Sequence, residues 1–149
     1  PRGDLMATPF SEIYERAVLK FSDYDFLKLS ESEREYILEK YLMSAQADFE
    51  KMCRIDLSQI DTDYKEYKVD LDNEVIEILA LGIAYYWVSS KVLDSTNLSN
   101  SLSVKDYSFF SPANLLREMT EFRNSLYKEY RRKMTEYTYY AGNIASLKA

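Results

Sequence analysis

ILALGIAYYWVSSKV, residues 78–92, reads as a helix that is apolar almost all the way round instead of along one stripe. Such a helix needs cover on every side. A chain of 149 residues is expected to supply only part of that cover, so the segment predicts a protein built to pack against other subunits. Ala80, Gly82 and Ala84 are small residues within it. A mid-helix glycine costs about 1 kcal/mol relative to alanine, and Gly82 therefore predicts a neighbouring helix in close approach. Tyr85, Tyr86 and Trp87, the only tryptophan, follow at once. Together with Gly82 they form the expected subunit interface on this helix.

Composition points the same way. Three Gly and three Pro leave few breakers for hairpins and tight turns, so the predicted class is all-α, about four helices in a bundle. The length suits one domain that buries about 68 to 70% of its unfolded surface. Cys53 stands alone, which excludes an intramolecular disulfide and fits a reducing compartment. The absence of histidine removes the commonest general base and the commonest transition-metal ligand together. A net charge of −6 argues against a grip on phosphate. The one dense basic run, KEYRRK at residues 128–133, falls late in a predicted helix, where it suits the helix dipole and a solvated face. No secretory signal is read at the start, and no apolar run is read as reaching the roughly 20 residues of a membrane span. A soluble intracellular protein is expected.

The first predicted helix covers residues 9–21, with Thr8 as N-cap, Pro9 at the first helical position, and Phe10, Ile13, Tyr14, Ala17, Val18 and Phe21 on one face. The second starts at Ser30 or Ser32, each followed three residues later by a glutamate in a capping-box pattern, and ends near Arg54. Leu38, Leu42, Ala45, Phe49 and Met52 are its buried stripe. In DLSQIDTDYKEYKVDL, residues 56–71, Tyr67, Val69 and Leu71 alternate with charged residues as an extended segment does, without amounting to a predicted sheet. Asp56, Asp61, Asp63, Asp70 and Asp72 lack the ordered ligand ladder and central glycine of a calcium loop, and read as turn and capping carboxylates. Asp72 caps the third helix, residues 73–93, with Leu71 stapled to Ile76.

A polar linker at residues 94–103 leads to the fourth and longest helix, announced by Ser111 as N-cap, Pro112 at the first helical position, and Phe110 stapled to Leu115. Leu115, Met119, Phe122, Leu126, Tyr130, Met134 and Tyr137 make one face of it. The helical domain is expected to cover residues 6–137, after a vector-derived remnant at residues 1–5. Gly142 reads as a helix stop within a mobile tail at residues 138–149.

Fourteen Tyr and seven Phe raise the question of where so many rings sit. Interface and core are both open for Tyr85, Tyr86, Tyr107, Tyr139 and Tyr140, whereas Tyr14 and Tyr36 are expected in the core. No glycine-rich phosphate loop, nucleophile elbow, paired-cysteine site or Glu-x-x-His helix occurs. Carboxylate pairs such as Glu31 and Glu35, or Glu118 and Glu121, have ordinary helix-surface spacing. Neither an enzyme nor a metal or cofactor site is expected.

Three stretches carry a likeness: residues 78–92, KDYSFFSPANLL at residues 105–116, and YKEYRRKMTEYTY at residues 127–139. In these the chain resembles the helical head–tail connector proteins of tailed bacteriophages, also called neck adaptor or head-completion proteins. The resemblance implies a small α-helical, non-enzymatic virion protein that assembles as a ring, commonly of twelve copies, beneath the portal. It further implies the portal and the next neck or tail component as partners, DNA passing through without specific binding, and a location in the virion neck after assembly in the host cytoplasm. Each ring subunit must present two different complementary faces. Gly82, Tyr85, Tyr86, Trp87, Tyr107, Phe109 and Phe110 are the expected subunit contacts, and Tyr139, Tyr140, Ile144 and Leu147 the expected portal-binding arm. The rival readings are a non-viral homodimeric helical scaffold or regulatory protein, with the third helix in a two-fold interface, and a nucleic-acid-binding helical domain.

Overall fold

The computed structural model describes residues 7–21, 24–101 and 112–148, with side chains described at residues 7–21, 25–94 and 114–140. Among the described residues five helices form, α1 (Phe10–Val18), α2 (Tyr24–Leu27), α3 (Glu31–Phe49), α4 (Asn73–Ser101) and α5 (Pro112–Lys148). Three two-residue strands accompany them, β1 (Thr8–Pro9), β2 (Ile60–Asp61) and β3 (Glu66–Tyr67). The described residues are therefore mostly helical with a long C-terminal helix, as expected, and add the short helix α2 and a small sheet that the sequence does not predict.

The capping chemistry is where the sequence placed it on α3 and α4. Ser30 accepts the Glu33 amide while the Glu33 carboxylate accepts the Ser30 amide, so two orphan donors of α3 are satisfied reciprocally. Asp72 accepts the Val75 amide at 3.0 Å and opens α4. Thr8 is the exception. It does not cap α1, whose N-cap is Pro9 with no side-chain hydrogen bond. Instead β1 lies antiparallel to β3, Thr8 opposite Tyr67, and β3 pairs with β2, Ile60 opposite Tyr67. The strand order β1-β3-β2 leaves β1 at an edge, where the missing N–H of Pro9 does no harm. The Thr8 hydroxyl accepts the buried Leu71 amide at 2.9 Å and donates to the Val69 carbonyl at 3.1 Å. It thus ties the sheet to the start of α4.

Helix α4 packs on α1, α3 and α5. Val75, Ile76 and every residue from Ile78 to Ala84 are buried. The expectation that this helix needs other subunits for cover is corrected: the chain covers it from within. Asn73–Asp94 does match a membrane span in length and composition, contrary to the sequence reading, yet 67% of its most apolar stretch is buried inside the fold. The helix also continues to Ser101 through the stretch read as a linker. Ser, Thr and Asn are poor helix formers by only a few tenths of a kcal/mol each, too little to stop a helix already nucleated by buried turns.

Helix α5 starts at Pro112 as predicted and runs 37 residues to Lys148, about 55 Å. It passes through Gly142, which is no stop, and the segment expected as a flexible tail is helical to Lys148. Ser111 and Phe110, its expected cap and staple, lie outside the described residues. Its buried stripe is Leu126, Tyr130, Met134 and Tyr137, with Leu116 and Met119 half-buried. Leu115 and Phe122, assigned to that stripe from the sequence, are instead 56% and 42% exposed.

Candidate interaction surface

The residues expected at a subunit interface on α4 divide between interior and edge. Gly82 lies against α3 and α5: a Cβ built on it would collide with the Ala45 Cβ and meet the Tyr130 ring at 3.0 Å. The predicted close approach is real, but it is internal to the chain. Trp87 is also internal, stacked on Phe21 at 5.7 Å and edge-on to Phe26 at 5.3 Å, with the Lys91 ammonium 4.8 Å from its ring centre. Neither Gly82 nor Trp87 lies on a surface that a second copy would meet, which corrects their assignment.

Tyr85 and Tyr86 are half-buried at the seam of α3, α4 and α5. Tyr86 stacks on Tyr41 and donates to the Asp48 carboxylate at 2.6 Å, and Tyr130 donates to the same carboxylate at 3.0 Å. Tyr85 contacts Tyr86, Tyr127 and Tyr130. Burial, reinforced by the neighbouring Asp48 charge, pushes the Tyr86 and Tyr130 hydroxyls well above the usual phenol range, so they act as neutral donors. This cluster fastens three helices to one acceptor. Its chemistry is structural.

Tyr139 and Tyr140, from the expected portal arm, project from α5, 66% and 62% exposed, and flank a shallow hollow with Thr135 and Glu136. Ile144 and Leu147 fall within the helical span of α5, but their side chains lie outside the described residues, as do Tyr107, Phe109 and Phe110 altogether. Among the described residues no group of three or more Cys, Asp or Glu side chains could hold a metal ion. Asp56 and Asp61 are turn carboxylates, accepting the Ser58 amide and the Asp63 and Tyr64 amides at 3.0 Å. Cys53 is half-buried beside the Tyr137 hydroxyl, and burial raises its thiol pKa, which suppresses the thiolate.

The sequence reading missed two surfaces. One is on α5, where Leu115, Phe122 and Tyr140 share a side as exposed large side chains, with Tyr127 and Tyr139 exposed on its flanks. The other is a groove of about 430 Å³ between α1, α3 and the β2–β3 turn, walled by Tyr14, Tyr36 and Tyr64 with Glu35 and Glu39. Tyr36, expected in the core, is 70% exposed because it faces away from the Leu38, Leu42 and Ala45 stripe of α3. The groove joins residues more than 50 positions apart, so no local pattern reveals it. No protein-family model, curated protein or solved structure matches the chain.

Proposed function

We propose that this protein is a structural assembly subunit, a ring-forming adaptor that joins the portal of a tailed-bacteriophage head to the neck and tail and extends the DNA channel. The observation that carries the docking role is the surface of α5. Five of the ten large hydrophobic side chains that are exposed among the described residues lie on it, spread over residues 115–140. A helix of about 55 Å that keeps apolar and aromatic side chains in water over much of its length is suited to lie against other chains. The resemblance in residues 78–92, 105–116 and 127–139 narrows the docking role to a neck adaptor. The net charge of −6 fits a channel wall that repels phosphate and lets DNA pass.

Electron microscopy of the protein mixed with its candidate portal tests the reading. A ring of added density beneath the portal is the expected result. A bare portal, together with a stable two-fold dimer in sedimentation, would replace the adaptor with the homodimeric scaffold.

A further inference from the structure

We infer that the groove between α1, α3 and the β2–β3 turn receives the basic face of α5, carrying Lys128 and Arg131, from a second copy of this chain. The inference supplies the adaptor reading with its subunit contact and rests on that reading only for closure into a ring.

The groove is built for a cation on an aliphatic or planar stem. Tyr36 and Tyr64 stand 70% and 76% exposed at its rim, and Tyr14 forms its half-buried floor. Guanidinium and ammonium groups bind the faces of such rings and pair with adjacent carboxylates. Glu39 already holds the Lys65 ammonium at 2.9 Å. Lys65 reaches it from a left-handed backbone conformation, φ 53°, at the turn. Glu35 has no cationic partner among the described residues. Both carboxylates lie near enough to the Tyr14 hydroxyl to add to the upward shift that burial imposes on it.

The chain carries a matching cation. Within the basic run on α5, Arg132 is taken up by Glu129 and Glu136 of its own helix. Lys128 and Arg131, three residues apart on one exposed face, make no ion pair among the described residues. Tyr127 flanks them, 44% exposed. The groove and this face share no residue and no element. In the heterologous arrangement the adaptor reading requires, each copy offers its groove to one neighbour and its α5 face to the other, and a rotation that closes makes a ring. A reciprocal exchange of groove and face between two copies would instead end at a two-fold dimer.

Sedimentation velocity on the full chain tests the contact through charge reversal. Wild type should self-associate with rising concentration. Glu35→Lys alone, and Lys128→Glu with Arg131→Glu alone, should each weaken association at least tenfold, because each sets like charges together. An equal mixture of the two variants should recover it: the reversed groove meets the reversed face, and the native groove meets the native face. That recovery also shows that neither variant failed by misfolding. A wild-type chain that stays monomeric, variants that associate as wild type does, or a mixture that does not recover would each overturn the inference. A chain that associates this way yet leaves its portal bare keeps this contact and loses the adaptor reading. A portal ring formed equally well by both variants does the reverse.

Discussion

Gly82 shows how one position can be legible in kind and misassigned in partner. The sequence reading took the glycine as a sign of close helix approach, and the approach exists, made by Ala45 of α3 and Tyr130 of α5. Which surface approaches was not legible, since small residues look the same whether the neighbour is the same chain or another. Even Gly82→Ala should destabilise the fold. The gain in helix propensity is about 1 kcal/mol, but the new Cβ overlaps Ala45, and overpacking in a close-packed core costs about 1–3 kcal/mol. Chemical denaturation should show a net loss of up to about 2 kcal/mol with little change in slope. An unchanged midpoint would mean that α3 and α5 can move apart freely. Trp87, expected at a subunit interface, is covered instead by Phe21 and Phe26 of its own chain.

The coded starts of α3 and α4 match their prediction, and the elements made by distant pairing do not. The Ser30–Glu33 capping box and the Asp72 cap sit within four residues of the helices they start, so their signal survives in any fold that keeps those helices. The two-residue strands have no such code, because two residues cannot display an alternation. Thr8 could serve equally as a helix cap or as a strand residue, and only the arrival of residues 66–71 beside it decided. Its role now predicts a ranking. Thr8→Val strands the buried Leu71 amide and should cost about 1–3 kcal/mol, whereas Ser30→Ala removes an exposed cap and should cost about 1 kcal/mol. Thermal melts of the two variants check the order; equal losses would show that the Thr8 hydroxyl is not the tie between sheet and α4.

At the level of the whole molecule the tyrosines set a boundary on stability. Burial raises the Tyr14, Tyr67 and Tyr130 hydroxyls above the ordinary phenol value near 10. The unfolded chain ionises these groups first, so above pH of about 10 it binds fewer protons than the folded chain, and folding loses stability as pH rises. Below about 10 both states hold the protons and the contribution is intact. The melting temperature should therefore stay level into mild alkali and drop above pH of about 10. Full ionisation of all fourteen tyrosines without any fall in melting temperature would show that the three buried hydroxyls ionise in place.

The sequence alone determined the helical class, the starts of α3, α4 and α5, the Leu38, Leu42, Ala45 and Phe49 stripe of α3, though not its end at Phe49 short of Met52, and the unbroken apolarity of α4, because each is written in spacing, capping or propensity within a few turns. Tertiary structure alone decided that α1, α3 and α5 cover α4, that Leu115 and Phe122 face water while Tyr130 and Tyr137 do not, and that Tyr14, Tyr36 and Tyr64 wall one groove. Those outcomes depend on where distant segments come to lie. A side chain's pattern records its readiness to be buried, and the neighbour that buries it is chosen only when the helices pack.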